Sequence, residues 1–279
     1  TSVSPNELSH FSSLASSWWD PQGPSRVLHL MNPVRHDFIA SCIAESTPTT
    51  TTPSSPTDSN KSNTLRYLDI GCGGGIFAES LARTIPTPTT SDADAAVASS
   101  TPTRTRAAEI TALDPSPTLI KIARDHARLD PIVNGHLETG RFKYVNSTLE
   151  EYIPTLHTTT TTTTTIESNS NSKNGGGFDI VTLFEVIEHI DNVPGSITPQ
   201  SFLASCLSMV KPGGWLIGST IARTFPSWIV NQVIAEAPWP VGVVPKGTHE
   251  WSKFVNPGEL QAWVQEGLMR GADGGAVRG

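Results

Sequence analysis

Short apolar runs recur along this chain, and between them lie longer stretches in which apolar residues return with helical spacing. Runs of this length, bounded by glycine, proline or charged residues, predict β-strands. The predicted strands are 65–70, 109–113, 141–145, 178–184 and 215–219. The fourth run is apolar at nearly every position, which is typical of a strand that helices cover on both faces.

Helical stretches precede the first strand and connect the later ones. Several carry a start signal, either a polar cap followed by proline, as in Ser116-Pro117, or the capping-box sequence Ser147-Thr148-Leu149-Glu150. The predicted helices are 6–18, 33–45, 75–83, 117–129, one from 199, and 257–266. The alternation predicts an α/β fold, an open, mostly parallel Rossmann-like sheet with helices on both faces and a helical cap at the N-terminus.

Three segments lack the apolar content of a packed core. Residues 47–63 are almost entirely Thr, Ser, Pro and Asn, residues 84–106 add Ala and Asp, and residues 155–177 contain an unbroken threonine run. Such segments bury too little apolar surface to offset their conformational entropy, so we expect disordered surface insertions. The remainder is long enough for one core, and we expect residues 1–279 to form a single domain.

Charge and cysteine content argue against a nucleic-acid substrate and indicate a reducing compartment. The formal net charge is −7 with only 19 Lys and Arg residues and no basic cluster, which argues against a nucleic-acid substrate. Cys42, Cys72 and Cys206 have neither metal-binding nor disulfide spacing, as expected in a reducing compartment. The chain starts at Thr1 with no initiator Met and no signal-like segment, so we expect a trimmed or processed chain from which any targeting peptide would already be gone.

The first strand runs directly into a glycine-rich turn, residues 71–75. Glycine allows positive φ angles and a close approach of backbone to ligand. A dinucleotide-binding turn would carry another glycine where Ile76 stands, so that pattern fails. The sequence Asp69-x-Gly71-x-Gly73-x-Gly75 instead resembles the first motif of the class I S-adenosylmethionine (SAM) methyltransferases, in which the turn passes under the methionine part of the cofactor.

Two further residues are candidates for cofactor binding. Asp114 ends the second strand, where an acidic side chain can accept hydrogen bonds from both ribose hydroxyls. It lies farther from the glycine turn than the usual 20 or so residues because the insertion 84–106 intervenes. The alternative is a turn residue before Pro115. Arg35 has a guanidinium group suited to the carboxylate of SAM, although an isolated arginine is far more often a surface residue.

Glu185, Glu188 and His189 follow the fourth strand. If the chain turns helical at once, the three side chains share one helix face. Two carboxylates and an imidazole would then form a divalent-cation site, suited to Mg²⁺ or Mn²⁺ and also open to Zn²⁺. The alternative is a solvated first helical turn whose acidic residues complement the helix dipole.

Five segments occur together in one order, which is far more specific than the glycine turn alone. They are Trp18-Trp19-Asp20, Leu28-His29-x-Met31-Asn32-Pro33-x-Arg35, Asp69-Ile70-Gly71-Cys72-Gly73-Gly74-Gly75, Glu185-x-x-Glu188-His189 and Lys246-Gly247-Thr248-His249-Glu250-Trp251. Together they resemble the ubiquinone biosynthesis O-methyltransferases in their mitochondrial form, over most of the chain outside the three insertions. The resemblance implies methyl transfer from SAM to a catechol-type hydroxyl of a polyprenylated ring, in two steps of ubiquinone synthesis.

The resemblance also implies site residues and partners. The implied SAM contacts are Arg35, Gly71, Gly73, Asp114 and Phe184, and the implied ligands of a divalent metal, with Mg²⁺ expected, are Glu185, Glu188 and His189. No general base is assigned, although His189 and His249 are candidates. The family is attached peripherally to the matrix face of the mitochondrial inner membrane, together with other ubiquinone-biosynthesis proteins.

The C-terminal residues depart from the family's pattern. After the predicted helix 257–266 the family continues with two strands, whereas residues 269–279 here have neither strand pattern nor apolar content. We therefore expect the final strands to be absent and a sheet edge to be exposed. Two other functions stay open, a class I methyltransferase for another small phenol and a catalytically silent SAM-binding subunit of a biosynthetic complex. An NAD-dependent enzyme is disfavoured by Ile76.

Overall fold

The computed structural model describes residues 2–3, 5–23, 25–46, 64–87, 103–162, 177–190, 197–224 and 253–276. The first predicted insertion, 47–63, lies outside these ranges, as do most of the second and much of the third. The motif 246–251, with the candidate base His249, also lies outside them.

Strands and helices alternate as the sequence predicts. The strands are β1 (Leu65–Ile70), β2 (Ala107–Asp114), β3 (Phe142–Asn146), β4 (Phe178–Phe184) and β5 (Val210–Ser219). The helices are α1 (Pro5–Leu14), α2 (Arg26–Glu45), α3 (Ile76–Ala82), α4 (Pro117–Ala127), α5 (Pro131–Glu138), α6 (Leu149–Thr162), α7 (Pro199–Ser208) and α8 (Pro257–Ala276). Short 3₁₀ turns lie at Ala15–Ser17 and Ile187–His189. The α/β fold class is therefore confirmed, and β1 and β4 have the predicted bounds.

The five strands form one parallel sheet in the order β3-β2-β1-β4-β5. The chain enters at β1 in the middle, moves outward to β3, and then returns to the other side of β1 with β4. The direction of winding therefore reverses between β1 and β4. Ligands of open parallel sheets bind at such a switch point, beyond the carboxyl ends of the strands.

Each face of the sheet is buried under its own set of helices. One core contains residues from α2, α3, α4 and α5, and the other contains residues from α6, α7 and α8. Tyr67 points into the first core and its neighbour Leu68 into the second, and both are fully buried. Burial of both faces explains why β4 is mostly apolar.

The second helix starts earlier than the sequence predicts. Pro33 was expected at its first position, but α2 begins at Arg26 and contains Pro33. The first turns are held by tertiary contacts, since Leu28 and Met31 line a cavity and the Asn32 side chain donates to the carbonyl of Ile76 (3.1 Å). Contact with α3 therefore overrides the local preference of proline for a helix start.

Two other local predictions need correction. The predicted helix 117–129 ends at Ala127, and a separate helix, α5, follows with Asp130 as its cap. The capping box lies one residue later than Ser147–Glu150, because the Thr148 hydroxyl accepts from the N–H of Glu151 and the Glu151 carboxylate accepts from the N–H of Thr148. Both signals were present as an Asp-Pro pair and a Thr-x-x-Glu pattern.

Helices also extend into segments that were predicted to lack them. Helix α6 continues to Thr162, eight residues into the predicted insertion 155–177. Helix α8 continues to Ala276, ten residues beyond its predicted end. At the insertion 84–106 the described ends lie side by side, since the hydroxyls of Thr84 and Thr105 are 2.8 Å apart. In the described part of the chain, β5 is the last strand and lies at an edge of the sheet.

Candidate SAM site

The glycine-rich turn begins where β1 ends, at the switch point of the sheet. Gly71, Gly73 and Gly75 all have positive φ, between 56° and 88°. The N–H groups of Gly71 and Cys72 both donate to the carbonyl of Leu113 on β2 (2.8 and 3.0 Å). A side chain at Gly71 would meet Val186, and one at Gly75 would meet Tyr144. Glycine is therefore required here both by backbone conformation and by space.

Asp114 closes the other side of this turn. Its Oδ2 accepts from the N–H of Gly73 and its Oδ1 from the N–H of Ser116, each at 2.8 Å. The side chain is 93% buried, and burial raises the pKa of the carboxyl to about 6, although both N–H donors oppose the rise. Each oxygen retains a further lone pair on the cavity side, so the predicted ribose contact remains compatible with this geometry.

A cavity of about 520 Å³ opens beside the turn. All eight residues that the sequence proposed for cofactor or metal line it, namely Arg35, Gly71, Gly73, Asp114, Phe184, Glu185, Glu188 and His189. Apolar residues of the N-terminal helices, among them Leu8, Phe11 and Met31, form the opposite wall. A volume of this size is typical of a pocket for one organic ligand.

Asp69 and Arg35 carry unpartnered polar atoms at this cavity. Asp69 is fully buried; its Oδ1 accepts from the Thr182 hydroxyl (2.7 Å), but its Oδ2 has no hydrogen-bond partner among the described residues. Arg35 is 6% exposed, and its Nε likewise has no partner in the described part of the chain. Burial raises the pKa of Asp69 to about 7 and lowers the pKa of Arg35. Unpaired buried atoms of this kind are costly unless a ligand satisfies them.

Phe184, the last residue of β4, supports Arg35. The guanidinium carbon of Arg35 lies 4.7 Å from the centroid of the Phe184 ring and 6.0 Å from that of Phe77. The two rings meet edge to face, with centroids 4.7 Å apart. The rings hold this cation in place together with the nearby charges of Glu185 and Asp69, so Phe184 acts on the site through Arg35 as well as by lining the cavity.

The turn after β4 differs from the helical turn that the metal prediction assumed. Glu185 has a φ of +54°, and only a short 3₁₀ turn follows at Ile187–His189. The Glu185 carboxylate accepts from the hydroxyl of Ser219 (2.6 Å), and the Glu188 carboxylate accepts from the hydroxyl of Thr220 (2.9 Å). The assumption of an immediate helix is therefore wrong, and the end of β5 supplies two partners that sequence reasoning missed.

The donor set at this turn suits a cation chemically, but its geometry is not that of a formed metal site. Burial, and after it the neighbouring Glu185 carboxylate, raise the pKa of Glu188 to about 7. The ring of His189 meets Phe11 edge to face, with centroids 4.9 Å apart. Among the described residues, no three His, Cys, Asp or Glu side chains are grouped as metal ligands.

Of these residues, sequence reasoning did not assign Asp69 a role of its own. The signal was present, because an acidic residue stands in an otherwise apolar stretch of β1.

The parallel sheet, the glycine turn and the acidic residue at the end of β2 together define a SAM-dependent methyltransferase with the class I fold. A family model described as a methyltransferase domain matches residues 54–267, in agreement with this class.

Comparison with curated proteins narrows the class to one family. The mitochondrial ubiquinone biosynthesis O-methyltransferase of Schizosaccharomyces pombe is 35% identical, and the match covers 95% of this chain and 72% of that protein. Its counterpart in Candida albicans is 31% identical with coverages of 97% and 75%, and that of Erwinia tasmaniensis is 31% identical with coverages of 96% and 81%. The chain belongs to the ubiquinone biosynthesis O-methyltransferase family. No helix in its described residues is long and apolar enough to span a membrane.

Proposed function

We propose that this protein transfers a methyl group from SAM to a hydroxyl of a polyprenylated catechol or quinol intermediate in ubiquinone biosynthesis. Family membership supports the reaction, since the relatives are named for it. The observation that carries SAM binding is that Arg35 and Asp69 both line the cavity beside the glycine turn, and that each has a buried polar atom without a hydrogen-bond partner among the described residues.

The methionine end of SAM is a zwitterion, and its two charges match these two side chains. The Arg35 guanidinium would bind the carboxylate, and the Asp69 carboxylate would bind the ammonium group. Asp114 would hold the ribose hydroxyls while it keeps the turn in place through Gly73. These contacts would satisfy polar atoms that are otherwise buried without partners, which supports the fit of SAM to this cavity.

When bound, SAM supplies the electrophilic methyl group on its sulfonium, so the chain contributes mainly positioning and electrostatics. The apolar wall that contains Phe11 and Met31 would exclude water and hold the substrate ring against the turn. Glu188 and His189 line the same cavity, where they would orient the reacting hydroxyl. Of the two histidines that the sequence proposes as base, His189 is the one within the described residues.

A divalent cation, with Mg²⁺ expected, forms a finer part of the proposal. Glu185, Glu188 and His189 would hold it, and the mutual repulsion of the two carboxylates, which raises the pKa of Glu188, favours a cation between them. The carboxylates would first have to leave the hydroxyls of Ser219 and Thr220. A bound cation would lower the pKa of the substrate hydroxyl and so favour the phenolate.

The location and partners also follow the family. We propose peripheral attachment to the matrix face of the mitochondrial inner membrane, beside other ubiquinone-biosynthesis proteins. The support is that the fungal relatives are named mitochondrial. Fractionation of mitochondria with carbonate and salt washes tests the attachment, because a peripheral protein is released by washing and an integral protein is not.

The function is tested by methyl transfer from labelled SAM to a catechol that carries a short prenyl chain, with and without Mg²⁺. We expect transfer by the wild-type protein and its loss in Arg35→Gln. The matched control is Arg66→Gln, since Arg66 also lies over a phenylalanine ring, Phe178 at 5.2 Å, but is away from the cavity. SAM binding without transfer would favour a silent subunit, and equal transfer to unrelated small phenols would favour a broader methyltransferase.

A further inference from the structure

Two adjacent tryptophans, Trp18 and Trp19, contact the glycine turn. A side chain at Gly73 would lie 2.8 Å from the Trp18 ring, and one at Gly74 would lie closer still. The Nε1 of Trp19 donates to the carbonyl of Gly74 (2.9 Å). The turn is therefore fixed by the Trp18 indole, which packs on its backbone and also lines the cavity, and by the hydrogen bond from Trp19 to its carbonyl.

The Trp19 ring is itself held by an ionisable pair, the partly exposed His126 and the buried Glu79. It stacks on the ring of His126, with centroids 3.4 Å apart and an angle of 4° between the planes. The Nδ1 of His126 donates to Oε2 of Glu79 (2.8 Å), and Arg83 pairs with the other oxygen of this fully buried carboxylate. A buried carboxylate with both oxygens paired has little freedom to move, so the His126 ring is presented to Trp19 in one orientation.

Trp19, His126 and Glu79 do not line the cavity. They act on it through the turn, in which three glycines with positive φ give the backbone more accessible conformations than other residues would. If the turn samples conformations that cannot bind ligand, the apparent affinity is the intrinsic affinity multiplied by the fraction of molecules in the binding conformation. A contact that restricts the turn to its binding conformation would therefore raise affinity without touching the ligand.

We propose that Trp19, held by His126 and Glu79, is a positioning residue for SAM that acts through the carbonyl of Gly74. The inference rests on the proposed function insofar as the cavity binds SAM. It adds a dependence of cofactor affinity on residues of α3, α4 and the segment between α1 and α2, all outside the cavity.

The first experiment compares two tryptophan variants by calorimetry with SAM and with S-adenosylhomocysteine. Trp19→Phe keeps a ring that can stack on His126 but removes the hydrogen bond to Gly74, so we expect affinity to fall about threefold to tenfold, the scale of one net hydrogen bond. Trp215→Phe is the matched control, because Trp215 also donates one hydrogen bond, to Ser46, and lies away from the turn. It should lose as much thermal stability as Trp19→Phe and keep its SAM affinity.

The second experiment separates positioning from simple stability. His126→Ala removes the stacked ring and should weaken SAM binding, whereas His126→Phe restores a ring without the bond to Glu79 and should recover only part of the affinity. Equal SAM affinity in Trp19→Phe and Trp215→Phe, or equal loss in the two His126 variants, would overturn the proposal while leaving SAM binding intact. Absence of SAM binding in the wild-type protein would instead overturn the proposed function, and this role with it.

Discussion

Because the Asp69 carboxylate is buried, we expect its replacement by asparagine to stabilise the ligand-free protein and to weaken SAM binding. Burial raises its pKa from 3.8 to about 7, while the Thr182 hydroxyl and the charge of Arg35 lower it in part. Asp69→Asn keeps the size of the side chain and an oxygen that can accept from Thr182. It removes the charge that is costly without ligand and that, in our proposal, binds the ammonium group of SAM.

The sign of the pH dependence follows from the direction of this pKa change. Because the pKa of Asp69 is higher in the folded protein, the folded state binds more protons than the unfolded chain between about pH 4 and 7. Stability of the ligand-free protein should therefore fall as the pH rises through this window and level off above it. A pKa difference of about 3 corresponds to about 4 kcal/mol in full, of which about 2 kcal/mol falls between pH 5.5 and 8.

The assay is urea unfolding of ligand-free wild-type and Asp69→Asn protein across that pH range, with SAM titrations of both. The stability difference should shift by about 2 kcal/mol in favour of the variant as the pH rises, because any cost of the new buried amide does not depend on pH. Asp125→Asn is the control, since the Asp125 carboxylate lies at the surface and its pKa is lowered by Lys121. A difference that is constant with pH, or SAM affinity that is unchanged, would refute the reasoning.

Three further predictions test other parts of the site. Asp114→Ala should weaken SAM binding by about 2–3 kcal/mol by calorimetry, the scale of charge-assisted hydrogen bonds, and unchanged affinity would exclude the ribose contact. Glu188→Gln should keep SAM affinity and lose most methyl transfer, and wild-type turnover that survives exhaustive chelation would exclude the metal. Replacing residues 47–63 with a short Gly/Ser link should leave SAM affinity nearly unchanged, because loop length enters closure entropy only logarithmically; a large loss in a folded variant would show that the segment contributes to the site.

The sequence predicts well those strands and helices whose ends are set by neighbouring residues or by a simple apolar pattern. Strand β4 is covered on both faces, so its bounds follow from a mostly apolar run, and the end of β1 follows from the glycine turn that comes directly after it. The start of α4 follows from the Ser116 hydroxyl, which accepts from the N–H of Leu119 just as the Ser-Pro pattern predicts. The start of α2 fails, because contacts with residues far along the chain hold its first turns and Pro33 carries the only local signal.

The candidate site was predictable as a set of residues, but its geometry was not. Parallel strands bring their carboxyl ends to one edge, so residues that follow β1, β2 and β4 meet there whatever the connecting lengths, and all eight proposed residues line one cavity. The conformation at Glu185 was not predictable, since a positive φ at a glutamate is rare and nothing in its neighbours requires it. The contacts with Ser219 and Thr220 depend on β5 lying beside β4, which is a property of the assembled sheet.

The need for glycine at position 74 has a different cause from the need for glycine at its neighbours in the turn. The glycine pattern indicates a turn that approaches a ligand, and positive φ accounts for Gly71, Gly73 and Gly75. Gly74 has no such φ; a side chain there would instead collide with Trp18. Part of the glycine pattern is thus required by the tryptophan pair and not by the cofactor. A Gly74→Ala variant should therefore disturb the same contact as a change at Trp18, which makes the N-terminal segment an integral part of the SAM site.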